Sequence, residues 1–155
     1  MPQTVSIIIP TFRRPHELSR LLLSILEQTV LPSEVIVVGE LGDSETGEIV
    51  RLMHRSFLSQ NIGLSLVTNT GGRSLTSARN LGVNHSVGNI VLFLDDDVLL
   101  DQRYHEEMLE IYGRGPDVLG VQGFIVNQRV SKIRNLIYRI FSQSFVQKNK
   151  WKVYP

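Results

Sequence analysis

The chain has no cysteine, which excludes a disulfide framework, a thiolate metal site and a cysteine nucleophile, and agrees with a reducing compartment. No apolar run approaches the ~20 residues needed to span a bilayer. Met1 leads straight into Thr4-Val5-Ser6-Ile7-Ile8-Ile9-Pro10 with no basic start and no small-residue cleavage site, so no signal peptide is expected. No repeat recurs at a fixed period, and neither a G-x-G-x-x-G nor a Walker pattern occurs. Acidic residues are absent from Val118 onward, where seven basic ones stand (Arg129, Lys132, Arg134, Arg139, Lys148, Lys150 and Lys152). Up to Asp117 the balance reverses, with nine basic residues against fifteen acidic. Halves so unequal imply two roles, or one whole cut at an unnatural place. What remains is ordinary for a globular protein: 155 residues, 42% hydrophobic and 20% charged, enough for one domain with a core.

The pattern along the chain alternates strand and helix. Val5 to Ile9 is a short, mostly β-branched run that suits a buried strand. Pro15 opens a helix whose Leu18, Leu21, Leu22, Ile25 and Leu26 form one apolar face. Glu34 to Val38 reads as a second strand, and Gly39 to Gly47 as a loop. A helix carrying Ile49, Val50, Leu52, Met53 and Phe57 follows, then a strand at 64–67 and a helix at 76–85. Asn89 to Leu94 reads as a buried strand running into Asp95-Asp96-Asp97. Asp101 suits the N-cap of a helix through Tyr112, and 118–126 is strand-like. Connections too long for hairpins predict a mostly parallel sheet flanked by helices, with ligands beyond the carboxyl ends of its strands. Thr11 to Arg13, Glu40 to Asp43 and Asp95 to Asp97 all fall there.

Three successive carboxylates at a strand end repel one another unless a cation or hydrogen-bond donors neutralise them. Their hard oxygens suit Mg²⁺ or Mn²⁺ shared with substrate phosphates. Pro10-Thr11-Phe12-Arg13 offers a hydroxyl, a ring and a cation; it also reads as a helix entry with Thr11 as N-cap. Arg79 can pair with a pyrophosphate or with the carboxylates, or stand as a solvated charge. Gly71-Gly72 with Arg73 can cradle a phosphate or simply turn the chain. His16, His54, His85 and His105 have no metal-ligand spacing and read as surface or helix residues.

The order Val-Ser-Ile-Ile-Ile-Pro-Thr-Phe-Arg-Arg, Glu-Val-Ile-Val-Val with an acidic loop, Ala78-Arg79-Asn80-Leu81-Gly82 and Phe93-Leu94-Asp95-Asp96-Asp97 resembles family-2 glycosyltransferases from Val5 to Asn127. The resemblance implies a GT-A fold, a nucleoside-diphosphate sugar donor (a UDP-sugar foremost) and inversion at the anomeric carbon. It implies a divalent metal, Mg²⁺ or Mn²⁺, at a D-x-D motif formed by Asp95 and Asp97, with Asp97 the direct ligand and Asp95 facing the ribose or the metal's waters. Pro10, Thr11, Phe12 and Arg13 would line the nucleoside pocket, Arg79 would lie near the pyrophosphate, and Asp96 would belong to the same site. The family's aspartate after the second strand is replaced by Gly39 followed by Glu40, so either Glu40 substitutes with a longer reach or the contact is lost.

A haloacid-dehalogenase-type phosphatase shares the apolar run before Asp-Asp-Asp-Val, but nothing acidic follows Asp117 to complete its site. A sugar-phosphate nucleotidyltransferase would need a glycine-rich basic loop between Ile9 and Pro15. The expected organisation is a nucleotide-sugar-binding α/β domain over 1–128 and a basic amphipathic segment over 129–155, truncated before an acceptor half that would supply the general base. The alternative is a non-catalytic nucleotide-sugar-binding module, or a gene fragment that needs another chain. In the tail, Ile133, Leu136, Ile137, Ile140 and Phe141 repeat at helical spacing, which suits packing on protein or contact with an anionic membrane. A cytoplasmic protein, at most peripheral to the inner face of the membrane, is expected. Its acceptor would be a saccharide or lipid-linked glycan, and no nucleic-acid partner is expected.

Overall fold

The computed structural model describes residues 3–72, 74–115, 117–123 and 152–154. The chain divides into two compact units, Met1–Glu106 and Glu107–Pro155. The boundary expected at 128 and the basic segment after it, apart from 152–154, lie outside the described residues.

In the first unit, strand β1 (Val5–Pro10), helix α1 (Pro15–Leu26), strand β2 (Glu34–Glu40), helix α2 (Ser44–Ser59), strand β3 (Gly63–Asn69), helix α3 (Leu75–His85) and strand β4 (Ile90–Phe93) alternate along the chain. Helix α4 (Tyr104–Tyr112) begins there. The strands form one parallel sheet in the order β3-β2-β1-β4. Parallel strands covered on both faces need apolar residues at consecutive positions. Accordingly Val5 to Ile9 and Val35 to Val38 are buried without alternation.

Alternate residues still face opposite layers. Ile8, Ile36 and Val38 pack with Ala78 of α3, flanked by Val67, Leu81 and Val91. The other face carries α2, seen at Gly39, where an added Cβ would stand 3.3 Å from Leu66 Cδ1 and 3.4 Å from Thr46 Cγ2. Helix α1 packs against α2 and buries Leu18, Leu21, Leu22 and Ile25, each contributing about 1.5–3 kcal/mol. Gly82 lets α3 lie directly on β1: a Cβ there would collide with the Cγ2 methyl of Ile8.

Three expectations need correction. Strand β4 is not buried. It pairs with β1 on one side only among the described residues, so Ile90 to Leu92 are half-buried and Phe93 is 43% exposed. Leu52 is exposed, because the buried side of α2 runs through Thr46, Val50 and Phe57. Asp101 caps one turn early: its carboxylate accepts from the Arg103 N–H, and α4 starts at Tyr104.

In the second unit, strand β5 (Gly120–Gln122) pairs antiparallel with strand β6 (Lys152–Tyr154). The strand expected over 118–126 is thus three residues long where it is described, and 124–126 lie outside the described residues.

Candidate donor-binding site

A cavity of about 350 Å³ opens at the carboxyl edge of the sheet. Its wall is built from four places in the chain: Pro10, Thr11, Phe12 and Arg14 after β1, Val38 and Glu40 at the end of β2, Ser74, Leu75 and Ala78 at the start of α3, and Asp96 after β4. Segments far apart in sequence meet there because all four strands run the same way.

The three aspartates differ in environment: β4 ends at Phe93, and in the turn that follows Asp96 is buried while Asp95 and Asp97 are exposed. Asp96 points inward and is only 6% exposed. Its Oδ2 accepts the Thr11 hydroxyl at 2.7 Å and its Oδ1 accepts Arg14 Nη1 at 3.0 Å. The carboxylates of Asp95 and Asp97 point outward, with 60% and 55% of their side-chain surface exposed. Arg79 Nη2 donates to Asp95 Oδ1 at 3.0 Å, and Arg14 Nη1 also donates to Asp97 Oδ2 at 3.1 Å. The mutual repulsion expected of three carboxylates is therefore relieved by two guanidinium groups. The bond to Asp96, then its charge, then Asp97 raise the pKa of Arg14 above its ordinary value.

Thr11 does not cap α1, as its hydroxyl is committed to Asp96. The N-cap is Arg14, without a side-chain cap bond, and Pro15 occupies the first turn. Arg13 takes a left-handed backbone at φ 54°. That turn sends its N–H to Asp43 Oδ2 at 2.7 Å and lays its guanidinium over the Phe12 ring, 5.1 Å from the centroid. Of the two arginines, Arg14 therefore lines the cavity and meets the carboxylates. Asp43 also caps α2, accepting Thr46 N–H at 3.2 Å and the Thr46 hydroxyl at 2.8 Å. Burial alone would raise the Asp43 pKa, but these hydrogen bonds outweigh it and hold the carboxyl below its ordinary value.

Glu40 lines the cavity, whereas Gly39 faces α2. A carboxylate at position 39 would point away from the cavity, so Glu40 is the acidic side chain that the end of β2 presents to it. Sheet register puts Asn69 opposite Glu40. Asn69 Nδ2 donates to Glu40 Oε1 and to the Gly72 carbonyl, each at 2.9 Å, while its Oδ1 accepts the Gly71 N–H at 3.1 Å. The Gly71 amide is thus engaged internally rather than offered to a phosphate; Arg73 lies outside the described residues.

Arg79 reaches the cluster from α3. Its guanidinium lies 5.6 Å from the centroid of Phe93, and its buried Nε has no hydrogen-bond partner among the described residues. His16, His54 and His85 are outside the cavity wall. His105 is buried on α4 and bonds the Val30 carbonyl through Nδ1 at 2.7 Å.

Arg14, Asn69 and Ser74-Leu75 are the site residues that sequence reasoning passed over. An arginine directly before a helix-opening proline was the available signal for Arg14. Ser74 caps α3 by accepting the Ser77 N–H, and the serine before that helix was its signal. Among the described residues no three acidic, histidine or cysteine side chains are placed to hold a metal ion. The protein can therefore offer a hard cation the outward carboxylates of Asp95 and Asp97, leaving further ligands to water and substrate oxygens. That donor set fits Mg²⁺ or Mn²⁺ bound together with a phosphate group.

An open parallel sheet with a cavity beyond its carboxyl edge defines an α/β protein of the ligand-binding kind. The glycosyl transferase family 2 model matches residues 6–154, and the chain belongs to that family. An uncharacterized glycosyltransferase of Haemophilus influenzae is 27% identical over 74% of this chain and 36% of its own length. The mannosyltransferase PcManGT from Pyrobaculum calidifontis, solved with GDP-Man and Mn²⁺, matches with a TM-score of 0.69 at 25% identity, over 81% of this chain and 36% of that one. Staphylococcus aureus TarS residues 1–349, solved with UDP-GlcNAc, matches with a TM-score of 0.54 at 26% identity, over 70% of this chain and 31% of that one. The sheet and its flanking helices are the GT-A arrangement of these neighbours. This chain spans about a third of each protein's length.

Proposed function

We propose that this chain is the donor-binding part of an inverting glycosyltransferase that takes a nucleoside-diphosphate sugar, foremost a UDP-sugar, and Mg²⁺ or Mn²⁺. Residues 1–128 would be the donor domain, and 129–155 a basic segment leading onward from it. The observation that carries the reading is the split within the aspartate cluster: Asp96 turns inward to fix the wall, while Asp95 and Asp97 turn outward beside the cavity.

In this reading the nucleoside occupies the cavity between Phe12, Glu40 and Leu75. Glu40, held by Asn69, accepts hydrogen bonds from base or ribose. The first turn of α3 brings its amide end to the cavity, which favours an anion. Arg14 and Arg79 supply guanidinium donors for a diphosphate. Asp95 and Asp97 would hold the divalent cation, which when bound stabilises the departing diphosphate.

No general base is assigned among these residues. Glu40 is engaged with Asn69, and Asp96 with Thr11 and Arg14. A second reading, a binding module active only with further residues or another chain, rests on that observation.

The nearest test is calorimetric titration with UDP and GDP, with and without Mn²⁺. The reading expects nucleotide binding that Mn²⁺ strengthens and that Asp97→Ala renders metal-independent; undiminished Mn²⁺ dependence in Asp97→Ala sinks the metal assignment. Donor consumption with an acceptor panel separates the two functional readings, because the binding module expects none from this chain.

A further inference from the structure

We propose that Arg14 is an internal counter-ion that guards Asp97 against free divalent cations and yields it to a cation arriving with a diphosphate, so that metal and nucleotide bind cooperatively. The inference rests on the metal reading above and adds to Arg14, there only a donor to the diphosphate, a second role toward the cation. A single nitrogen, Arg14 Nη1, bridges Asp96 Oδ1 at 3.0 Å and Asp97 Oδ2 at 3.1 Å. The two halves of the bridge are unequal. Asp96 is buried and anchored by Thr11, whereas Asp97 and the Arg14 side chain are both about half exposed. The Asp97 half is therefore the one that opens readily.

Arg14 is free to change partners. It is the N-cap of α1 yet makes no side-chain cap bond, and it lines the cavity in which a diphosphate would lie. Its planar group matches phosphate oxygens as well as carboxylates. Arg79 differs, since its guanidinium rests on Phe93 and its Nε is buried.

A cation arriving alone must take Asp97 from a guanidinium that gains no new partner, keeps only Asp96, and repels the cation. A cation arriving with a diphosphate brings the anion that the guanidinium can accept. The coupling is reciprocal: whatever factor UDP adds to metal affinity, metal adds to UDP affinity.

The test measures Mn²⁺ binding to the full chain from the paramagnetic resonance signal of free Mn²⁺, with and without UDP, corrected for Mn²⁺–UDP formed in solution. Arg14→Gln is compared with Arg20→Gln, which removes the same charge from an exposed position on α1 outside the cavity wall and leaves the bridge intact. Wild type should bind Mn²⁺ weakly alone and roughly tenfold more tightly with UDP. Arg14→Gln should bind Mn²⁺ alone roughly fivefold more tightly than wild type, the worth of an exposed ion pair, and should lose a similar factor from the UDP enhancement. Arg20→Gln should match wild type. A gain in affinity is not what simple structural damage produces.

If circular dichroism shows Arg14→Gln unfolded, Arg14→Lys serves instead. It keeps the charge without the fork, and a smaller gain in the same direction is expected. Unchanged Mn²⁺ affinity and an unchanged UDP enhancement in the folded variant overturn the proposal. Wild type that binds Mn²⁺ neither alone nor with UDP overturns the metal reading itself, and this inference with it.

Discussion

Asp96→Ala and Asp97→Ala should separate stability from metal binding, although the residues are adjacent. Asp96 accepts a buried hydroxyl bond from Thr11 and a bond from Arg14. A hydrogen bond to a charged group contributes about 1.5–3 kcal/mol, and the solvent-screened arginine pair adds little to it. Truncation also strands the buried Thr11 hydroxyl, so Asp96→Ala should lose about 2–4 kcal/mol. Asp96→Asn keeps an acceptor in the same place and should lose about 1 kcal/mol. Asp97 forms an ion pair in which both side chains are about half exposed, so Asp97→Ala should lose no more than about 1 kcal/mol. The binding effects should run the other way. Asp97→Ala should abolish the Mn²⁺ dependence of nucleotide binding, whereas folded Asp96→Asn should keep it with weaker affinity. Urea unfolding at constant slope and calorimetry on the same preparations make the comparison. Equal destabilisation by the two alanine variants, or an Asp96→Ala protein within about 0.5 kcal/mol of wild type, would refute the division of labour.

Gly82→Ala should destabilise despite gaining about 1 kcal/mol of helix propensity. The added methyl meets the root of the buried Ile8 side chain, which cannot swing aside, and overpacking costs about 1–3 kcal/mol; the same substitution with Ile8→Ala should lose the clash, read from a double-mutant cycle in urea. Asp43→Ala should lose about 1 kcal/mol as a cap and weaken nucleotide binding as well, because Asp43 also holds the Arg13 backbone; unchanged affinity by calorimetry would contradict the clamp. Burial holds the His105 pKa below its ordinary value, against the Val30 bond that raises it. The unfolded chain therefore takes up that proton first, and the stability His105 contributes falls as pH drops below about 6.5. Melting temperature should decline from pH 7.5 to 5.5, and less steeply in His105→Gln.

Much of this fold is legible in the residue pattern, because parallel strands covered on both faces must be apolar at consecutive positions. Val5 to Ile9 and Glu34 to Val38 announce themselves in that way, and Pro15 marks the start of α1. Burial of β4 was not legible: Ile90-Val91-Leu92-Phe93 is as apolar as a central strand, and only the sheet order makes it an edge among the described residues. Within the site, the aspartate cluster, Thr11, Phe12, Glu40 and Arg79 could be picked out by chemistry and position. The choice between Arg13 and Arg14 could not, because it turns on the left-handed backbone of Arg13. Asn69 becomes visible only when the register of β2 and β3 sets it opposite Glu40. Asp43 could be placed at the ligand-binding edge with Glu40, but its hold on Thr46 and on the Arg13 backbone is visible only in the structure.

The central claim is that a donor diphosphate and a divalent cation meet at the outward carboxylates beside this cavity. Anomalous diffraction from crystals grown with Mn²⁺ and UDP tests it directly. The account predicts one strong manganese peak between Asp95 and Asp97, with the nucleotide running from there toward Phe12 and Glu40. A manganese peak elsewhere, or UDP bound outside the cavity, would contradict it.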